Sequence, residues 1–299
     1  MTTDPIDRRD LLRHTVTGIG GLAAVAAFGT RALAEQGLTT RELKGNIRHA
    51  VARWTFDFLS LEELCQLAGR VGISAIDLVG PEEWPVLKRH GLDASMCNGA
   101  ELSLEDGWGD ARFHSALVER YLAHIDLVSE AGYTNLICFS GNARGMGPEV
   151  GLDNAEVGLK HILGRAEEKG VVLQMELFNS KVDHPDYLCD NSAWGIELCR
   201  RLDSPSFKLL YDIYHMQISE GDIIRTIREN HRYFGHYHTA GVPDRHEIDA
   251  SQELNYPAIC RAIRDTGYQG YVAQEFIPDR ENAQEKFESL QAAVQLCDV

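Results

Sequence analysis

Eight short runs rich in β-branched and aromatic residues, each followed by a stretch with helical spacing, constrain this 299-residue chain more than anything else in it. The runs are Ile47–Ala52, Ile73–Val79, Leu92–Cys97, Thr134–Phe139, Val171–Leu177, Phe207–Asp212, Tyr233–Thr239 and Gly270–Phe276. Between them, Ser60-Leu61-Glu62-Glu63 reads as a capping box that opens a helix. Ala155–Lys169 stops at Gly170, a C-cap glycine. Ser192–Leu202, Glu220–Asn230, Tyr256–Thr266 and Arg280–Cys297 repeat apolar residues at helical intervals. Strands alternating with helices pair in parallel through crossovers. Eight such units in ~250 residues predict an α/β fold, the (β/α)₈ TIM barrel, as one domain. An open doubly wound sheet would carry G-x-G-x-x-G after its first strand, and none is present. Gly99–His114 is expected as a loop over the barrel mouth.

The N-terminus carries a different signal. Arg8-Arg9-Asp10-Leu11-Leu12 is a twin-arginine pair ahead of apolar residues, Thr15–Thr30 has no charge, and Ala32-Leu33-Ala34 is an A-x-A cleavage pattern. Residues 1–34 are therefore expected to be a Tat export signal, 35–299 the barrel domain, and the location periplasmic. The charge-free run is shorter than the ~20 residues of a membrane span, so no stable membrane anchor is expected after signal removal. Without residues 1–34 the chain has 265 residues and net charge −17.

That acidity decides against nucleic acid: 45 acidic side chains against 29 basic ones make a poor phosphate footprint. The seven cysteines contain no C-x-x-C pair, which argues against a disulfide scaffold or structural zinc. The expected partner is a small molecule, and the composition is compatible with a homo-oligomer.

Polar residues fall at the ends of the last four strands. The fifth run reaches Glu176, the sixth Asp212, the seventh His236-Tyr237-His238, and the eighth Glu275. Active sites of such barrels lie at the C-terminal strand ends. These positions aim Glu176, Asp212, His238 and Glu275 at one point. Three carboxylates together repel unless a cation intervenes. Three oxygen ligands and one imidazole suit one divalent ion, Mn²⁺ or Mg²⁺ with Co²⁺ as a third choice. A single acidic strand end is ordinarily a cap or salt-bridge partner; four on consecutive strands are not explained that way. His236 shares the facing of His238 and is expected to hydrogen-bond beneath the metal. His215, three residues past Asp212 in the following loop, is expected either to bind substrate or to be a surface histidine. Arg245 is expected to grip a carboxylate or phosphate by its fork, or to form a rim salt bridge with Asp244 or Glu247. Trp54 and Trp108 are either walls of a substrate site or packing residues.

Over roughly Val171–Pro278 the chain resembles the hydroxypyruvate isomerase family of the xylose isomerase-like TIM barrels. The residues that carry the likeness are Glu176-Leu177-Phe178-Asn179, Tyr211-Asp212-Ile213-Tyr214-His215-Met216-Gln217, Gly235-His236-Tyr237-His238-Thr239-Ala240-Gly241-Val242-Pro243-Asp244-Arg245-His246-Glu247 and Glu253-Leu254-Asn255-Tyr256. The resemblance implies a metal held by Glu176, Asp212, His238 and Glu275, with the two glutamates as a proton-transfer pair. Two departures stand out. The family usually has Gln where this chain has His238, whereas related ketose 3-epimerases have His. The family's Glu-Pro-Asp stretch is here Glu247-Ile248-Asp249.

The expected activity is a metal-dependent isomerase of the aldose–ketose type. It would interconvert a small hydroxy-carbonyl compound of the hydroxypyruvate or tartronate semialdehyde kind through an enediolate. A ketose 3-epimerase and a non-catalytic periplasmic sugar binder are the competing readings. Phosphodiester hydrolysis, which needs a basic groove, fits the charge poorly.

Overall fold

The computed structural model describes residues 42–299; the export signal expected at residues 1–34 and the boundary at 35 lie outside them. Strands β1 (Arg48–Ala52), β2 (Ala75–Val79), β3 (Asp93–Cys97), β4 (Asn135–Cys138), β5 (Val172–Glu176), β6 (Phe207–Asp212), β7 (Phe234–Thr239) and β8 (Tyr271–Gln274) pair in sequence order. All pairs are parallel, and β8 returns to β1 to close the barrel. A parallel barrel covers the strands on both faces, so they read as continuous apolar runs. Every residue of β2 is buried, for example, including the charged Asp77.

The outer layer comprises α1 (Leu61–Val71), α2 (Trp84–Arg89), α3 (His114–Ala131), α4 (Pro148–Lys169), α5 (Ser192–Leu202), α6 (Ile213–Ser219), α7 (Ile223–Asn230), α8 (Tyr256–Asp265) and α9 (Ala283–Cys297). The capping box closes as expected: Glu63 N–H donates to Ser60 Oγ at 3.3 Å and Ser60 N–H to Glu63 Oε2 at 2.9 Å. That satisfies two amides that otherwise lack helical partners.

Three expectations are corrected. The helix expected at Glu220–Asn230 begins only at Ile223, because Gly221 (φ 68°) and Asp222 (φ 48°) turn the chain left-handed just before it. A helix follows Asp212 directly where a loop was expected, since the Asp212 side chain caps it. The helix expected from Ala155 begins at Pro148, a residue suited to a first turn. Gly151 and Gly158 blur its periodicity, but both are close-approach positions. A Cβ on Gly158 would sit 2.7 Å from His114 Nε2 and 2.8 Å from Trp108.

The Gly99–His114 segment is anchored to the C-terminal rim. Trp108 N–H donates to Phe139 O at 3.0 Å and Gly109 N–H to Ser140 O at 2.7 Å, extending the hydrogen bonding past β4. Trp108 is fully buried against Tyr121 and His114, so it is a packing residue. All seven cysteines are buried thiols. No helix among the described residues is long and apolar enough to cross a membrane.

Candidate active site

The parallel ladders bring the last strand ends together. Asp212 stands opposite His238 in the β6–β7 pair, and Glu176 opposite Leu210 in β5–β6. Glu275 follows β8 directly, and its N–H continues the ladder to Thr239 O at 2.9 Å. As a result Glu176, Asp212, His238 and Glu275 each place one ligand atom within 4.8 Å of the others, all four side chains being buried. His238 Nδ1 lies 3.1 Å from Glu176 Oε1 and 2.7 Å from Glu275 Oε2.

The other sequence-derived candidates are also at this point, though not in the settings expected. His215 is not a loop residue: it occupies the first turn of α6, fully buried, with its N–H donating to Asp212 Oδ1 at 3.1 Å. Its ring packs against Phe178 and Tyr214, and its Nδ1 meets Asn179 Nδ2 at 2.7 Å. Arg245 is not on the rim with Asp244 or Glu247. Its Nη2 donates to Asp212 Oδ2 at 3.1 Å and also to Glu275 Oε2, while Nη1 reaches His215 Nε2 at 2.5 Å. The turn Gly241–His246, closed by Gly241 N–H to His246 O at 2.8 Å, folds the arginine inward. Glu247 instead accepts from Asp279 N–H and meets Arg280, tying down the segment after β8. Trp54 does wall the site. Its Nε1–H donates to Glu275 Oε1 at 2.6 Å, and its ring lies 5.6 Å from the Arg245 guanidinium carbon.

Electrostatics follow from this crowding. Burial pushes the Asp212 carboxyl up to about 7, with Arg245 opposing and Glu275 reinforcing the shift. Burial alone would keep the His238 ring neutral, but Glu275 and Asp77 outweigh it and hold the imidazole well above its ordinary range. The Arg245 guanidinium, also penalised by burial, is held charged by Glu275 and Asp212. Negative charge here is tolerated only with cations among the carboxylates.

The donor set fits a divalent ion. Three carboxylates and one imidazole converge, and Glu176 Oε2 is buried with no hydrogen-bond partner among the described residues. Buried oxygens ordinarily have partners, and a hard cation at this point would supply one. Which ion does so is not encoded in the ligand types alone.

Sequence reasoning missed Asp77. It is fully buried in β2, 2.8 Å from His238 Nε2 and 2.9 Å from His236 Nε2, and it accepts from Ser95 Oγ–H at 2.5 Å. Its signal was a carboxylate inside an otherwise apolar run, Ala75-Ile76-Asp77-Leu78-Val79. His236, expected to hydrogen-bond beneath the metal, is buried with its Nε2 2.9 Å from this carboxylate but makes no aligned hydrogen bond to it.

The family model for the xylose isomerase-like TIM barrel matches residues 59–293. A zebrafish (Danio rerio) protein provisionally named a hydroxypyruvate isomerase is 37% identical over 120 residues, which is 40% of this chain and 44% of that protein. A mouse (Mus musculus) protein of the same provisional name is 28% identical over 250 residues, covering 75% of this chain and 87% of its own. Among solved structures, an AP endonuclease, family 2, from Brucella melitensis superposes with a TM-score of 0.73 at 22% identity, over 82% of this chain and 96% of that one. The last likeness speaks to the fold alone.

Proposed function

Because this chain belongs to the xylose isomerase-like TIM barrel family, we propose that it is a metal-dependent isomerase of a small hydroxy-carbonyl compound, of the hydroxypyruvate or tartronate semialdehyde kind. The observation that carries the reading is the pair Glu176 and Glu275, both buried and both within 3.1 Å of His238 Nδ1. Two carboxylates converging on one point can serve a proton abstracted next to a carbonyl and a proton returned to its neighbour. The names of the zebrafish and mouse relatives support the isomerase branch.

Glu176, Asp212, His238 and Glu275 would hold the ion, Mn²⁺ or Mg²⁺ with Co²⁺ as a third choice. When bound it supplies Lewis acidity toward the carbonyl and hydroxyl oxygens. One ionised glutamate takes the carbon-bound proton, leaving an enediolate on the substrate; the hydroxyl proton passes from one substrate oxygen to the other, and the opposite, protonated glutamate gives its proton to the adjacent carbon, so the pair ends with its protonation exchanged. Such positioned acid–base groups contribute ~10²–10⁴-fold. Trp54 fixes Glu275 through its Oε1, so the carboxylate does not rotate between its two duties. His215 and Arg245, in mutual contact at 2.5 Å, form the polar side facing the substrate oxygens. The walls of buried Phe178 and Tyr214 and half-buried Trp54 limit water. Export by the Tat route of residues 35–299 to the periplasm belongs to the same proposal, resting on Arg8-Arg9 and Ala32-Leu33-Ala34. Retention of a tagged Arg8→Lys, Arg9→Lys variant in the cytoplasm is its check.

The test is proton NMR in D₂O of hydroxypyruvate, tartronate semialdehyde and a panel of ketoses, with metal-loaded protein and a chelator control. A shifted carbonyl, abolished by chelator, is expected. Inversion at carbon 3 of a ketose would instead support the epimerase reading, which His238 in place of the family's usual Gln favours. Binding without turnover across the panel would support the non-catalytic binder.

A further inference from the structure

We infer that Asp77 is a positioning residue that selects which nitrogen of His238 is presented to the four-residue point. The inference rests on the proposed function only in taking the ligand there to be a divalent cation.

Asp77 comes from β2, outside the run of strands β5 to β8 that leads to the clustered ligands. His236 and His238 are two apart on β7 and so share one face. Asp77 Oδ2 lies 2.8 Å from His238 Nε2. Its Oδ1 accepts from Ser95 Oγ–H at 2.5 Å and stands 2.9 Å from His236 Nε2 without an aligned hydrogen bond. Both oxygens are therefore engaged, and Asp77, Ser95, His236 and His238 are all buried.

The chemistry follows from inventory. A carboxylate only accepts hydrogen bonds, and a neutral imidazole carries a single N–H. Once a cation takes the place of the Nδ1 proton the ring is neutral, and with Nε2 facing Asp77 its one proton sits on Nε2 and the lone pair on Nδ1. Nδ1 is the nitrogen 3.1 Å from Glu176 and 2.7 Å from Glu275. Without Asp77, the carboxylates of Glu176 and Glu275 would draw the proton to Nδ1 instead. The backbone is shaped for this. Asp77 pairs with Met96 and Val79 with Cys97, leaving Leu78 as an extra residue at φ 57°. A bulge of this sort re-aims neighbouring side chains. A non-glycine residue in the left-handed region is strained and persists only where its surroundings over-determine it.

The experiment is a Co²⁺ titration of the full-length protein, followed by its d–d absorption, for wild type, Asp77→Asn and Ser95→Ala. Circular dichroism melts serve as the folding control. Outer partners of metal-binding histidines are worth about 10–100-fold in affinity. Asp77→Asn is expected to weaken Co²⁺ by that factor and shift the band, and Ser95→Ala to weaken it by less. Wild-type affinity and an unchanged band in folded Asp77→Asn would overturn the inference. Should that variant not fold, ¹⁵N NMR of the Mg²⁺-loaded wild type decides: an Nε2-protonated His238 supports it and an Nδ1-protonated ring overturns it. A wild-type chain that takes up no Co²⁺ would sink the proposed function itself, and this role with it.

Discussion

Strands β5, β6 and β7 run to Glu176, Asp212 and His238-Thr239, and β8 is followed at once by Glu275; β1 to β4 end in Ala52, Val79, Cys97 and Cys138. The two arcs are built of the same parallel units, yet only one carries a run of ligand-type side chains on its rim. Their ladders differ as well. β5 and β6 pair at four positions through Glu176, whereas β3 and β4 pair only at Cys97 and Leu136, and the amides of Trp108 and Gly109 take up carbonyls beyond β4. What the first arc gives the site arrives sideways: Trp54 from the turn after β1, and Asp77 from inside β2. The lesson is a division of labour. One arc presents donors in register, and the other braces them from the flank and from below.

This division can be broken at either arc. Glu275→Gln is expected to lower turnover by about 10³-fold in the D₂O assay while leaving the melting curve in place. A variant keeping a tenth of wild-type activity would remove any special status from the last strand end. Gly107→Ala addresses the first arc. Its Cβ would fall 2.3 Å from Gly141 N and 2.4 Å from Phe139 O, both backbone atoms that cannot rotate away. A loss of about 3 kcal/mol in urea unfolding is expected; an unchanged midpoint would show that this rim is not tightly packed. Trp54→Phe crosses between the arcs. Losing one hydrogen bond to a charged group costs about 2 kcal/mol, so a drop of roughly tenfold or somewhat more in kcat with an unaltered melt is expected. No change in kcat would mean that Glu275 is held by its own arc alone.

The smallest effect concerns His49 in β1. Burial pushes its imidazole down to about 4, with Asp298 opposing. The unfolded chain then takes up a proton near pH 6.5 that the folded chain refuses until about pH 4. Stability therefore falls as pH drops through that window. His49→Leu should flatten the dependence by about 1–2 kcal/mol between pH 8 and pH 5, read from urea midpoints. An equally steep dependence in the variant would place its source in another titrating group.

The barrel was legible because strand and helix periods alternate without interruption, and the rim of the second arc because a carboxylate ending an apolar run stands out. Other features depend on contacts that no local pattern records. Asp77 sits in mid-strand, and its histidines lie on β7. Arg245 reads as a loop residue until the Gly241–His246 turn and its own left-handed φ of 60° fold it inward. His215 reads as a loop residue until Asp212 is seen to end a strand and open a helix together. Gly151 and Gly158 weaken a helical pattern for the very reason that neighbours press against that helix.

Asp212 divides its two oxygens: Oδ1 receives the His215 amide at the start of α6, and Oδ2 turns to Arg245 and the clustered carboxylates. Fraying of that seven-residue helix would therefore swing a ligand out of place, and loss of the ligand would unstitch the helix. The segment Asp212–Ser219 and the site are therefore expected to open together. A bound ion would register in hydrogen exchange as slower opening of α6 amides, several residues from any atom it touches.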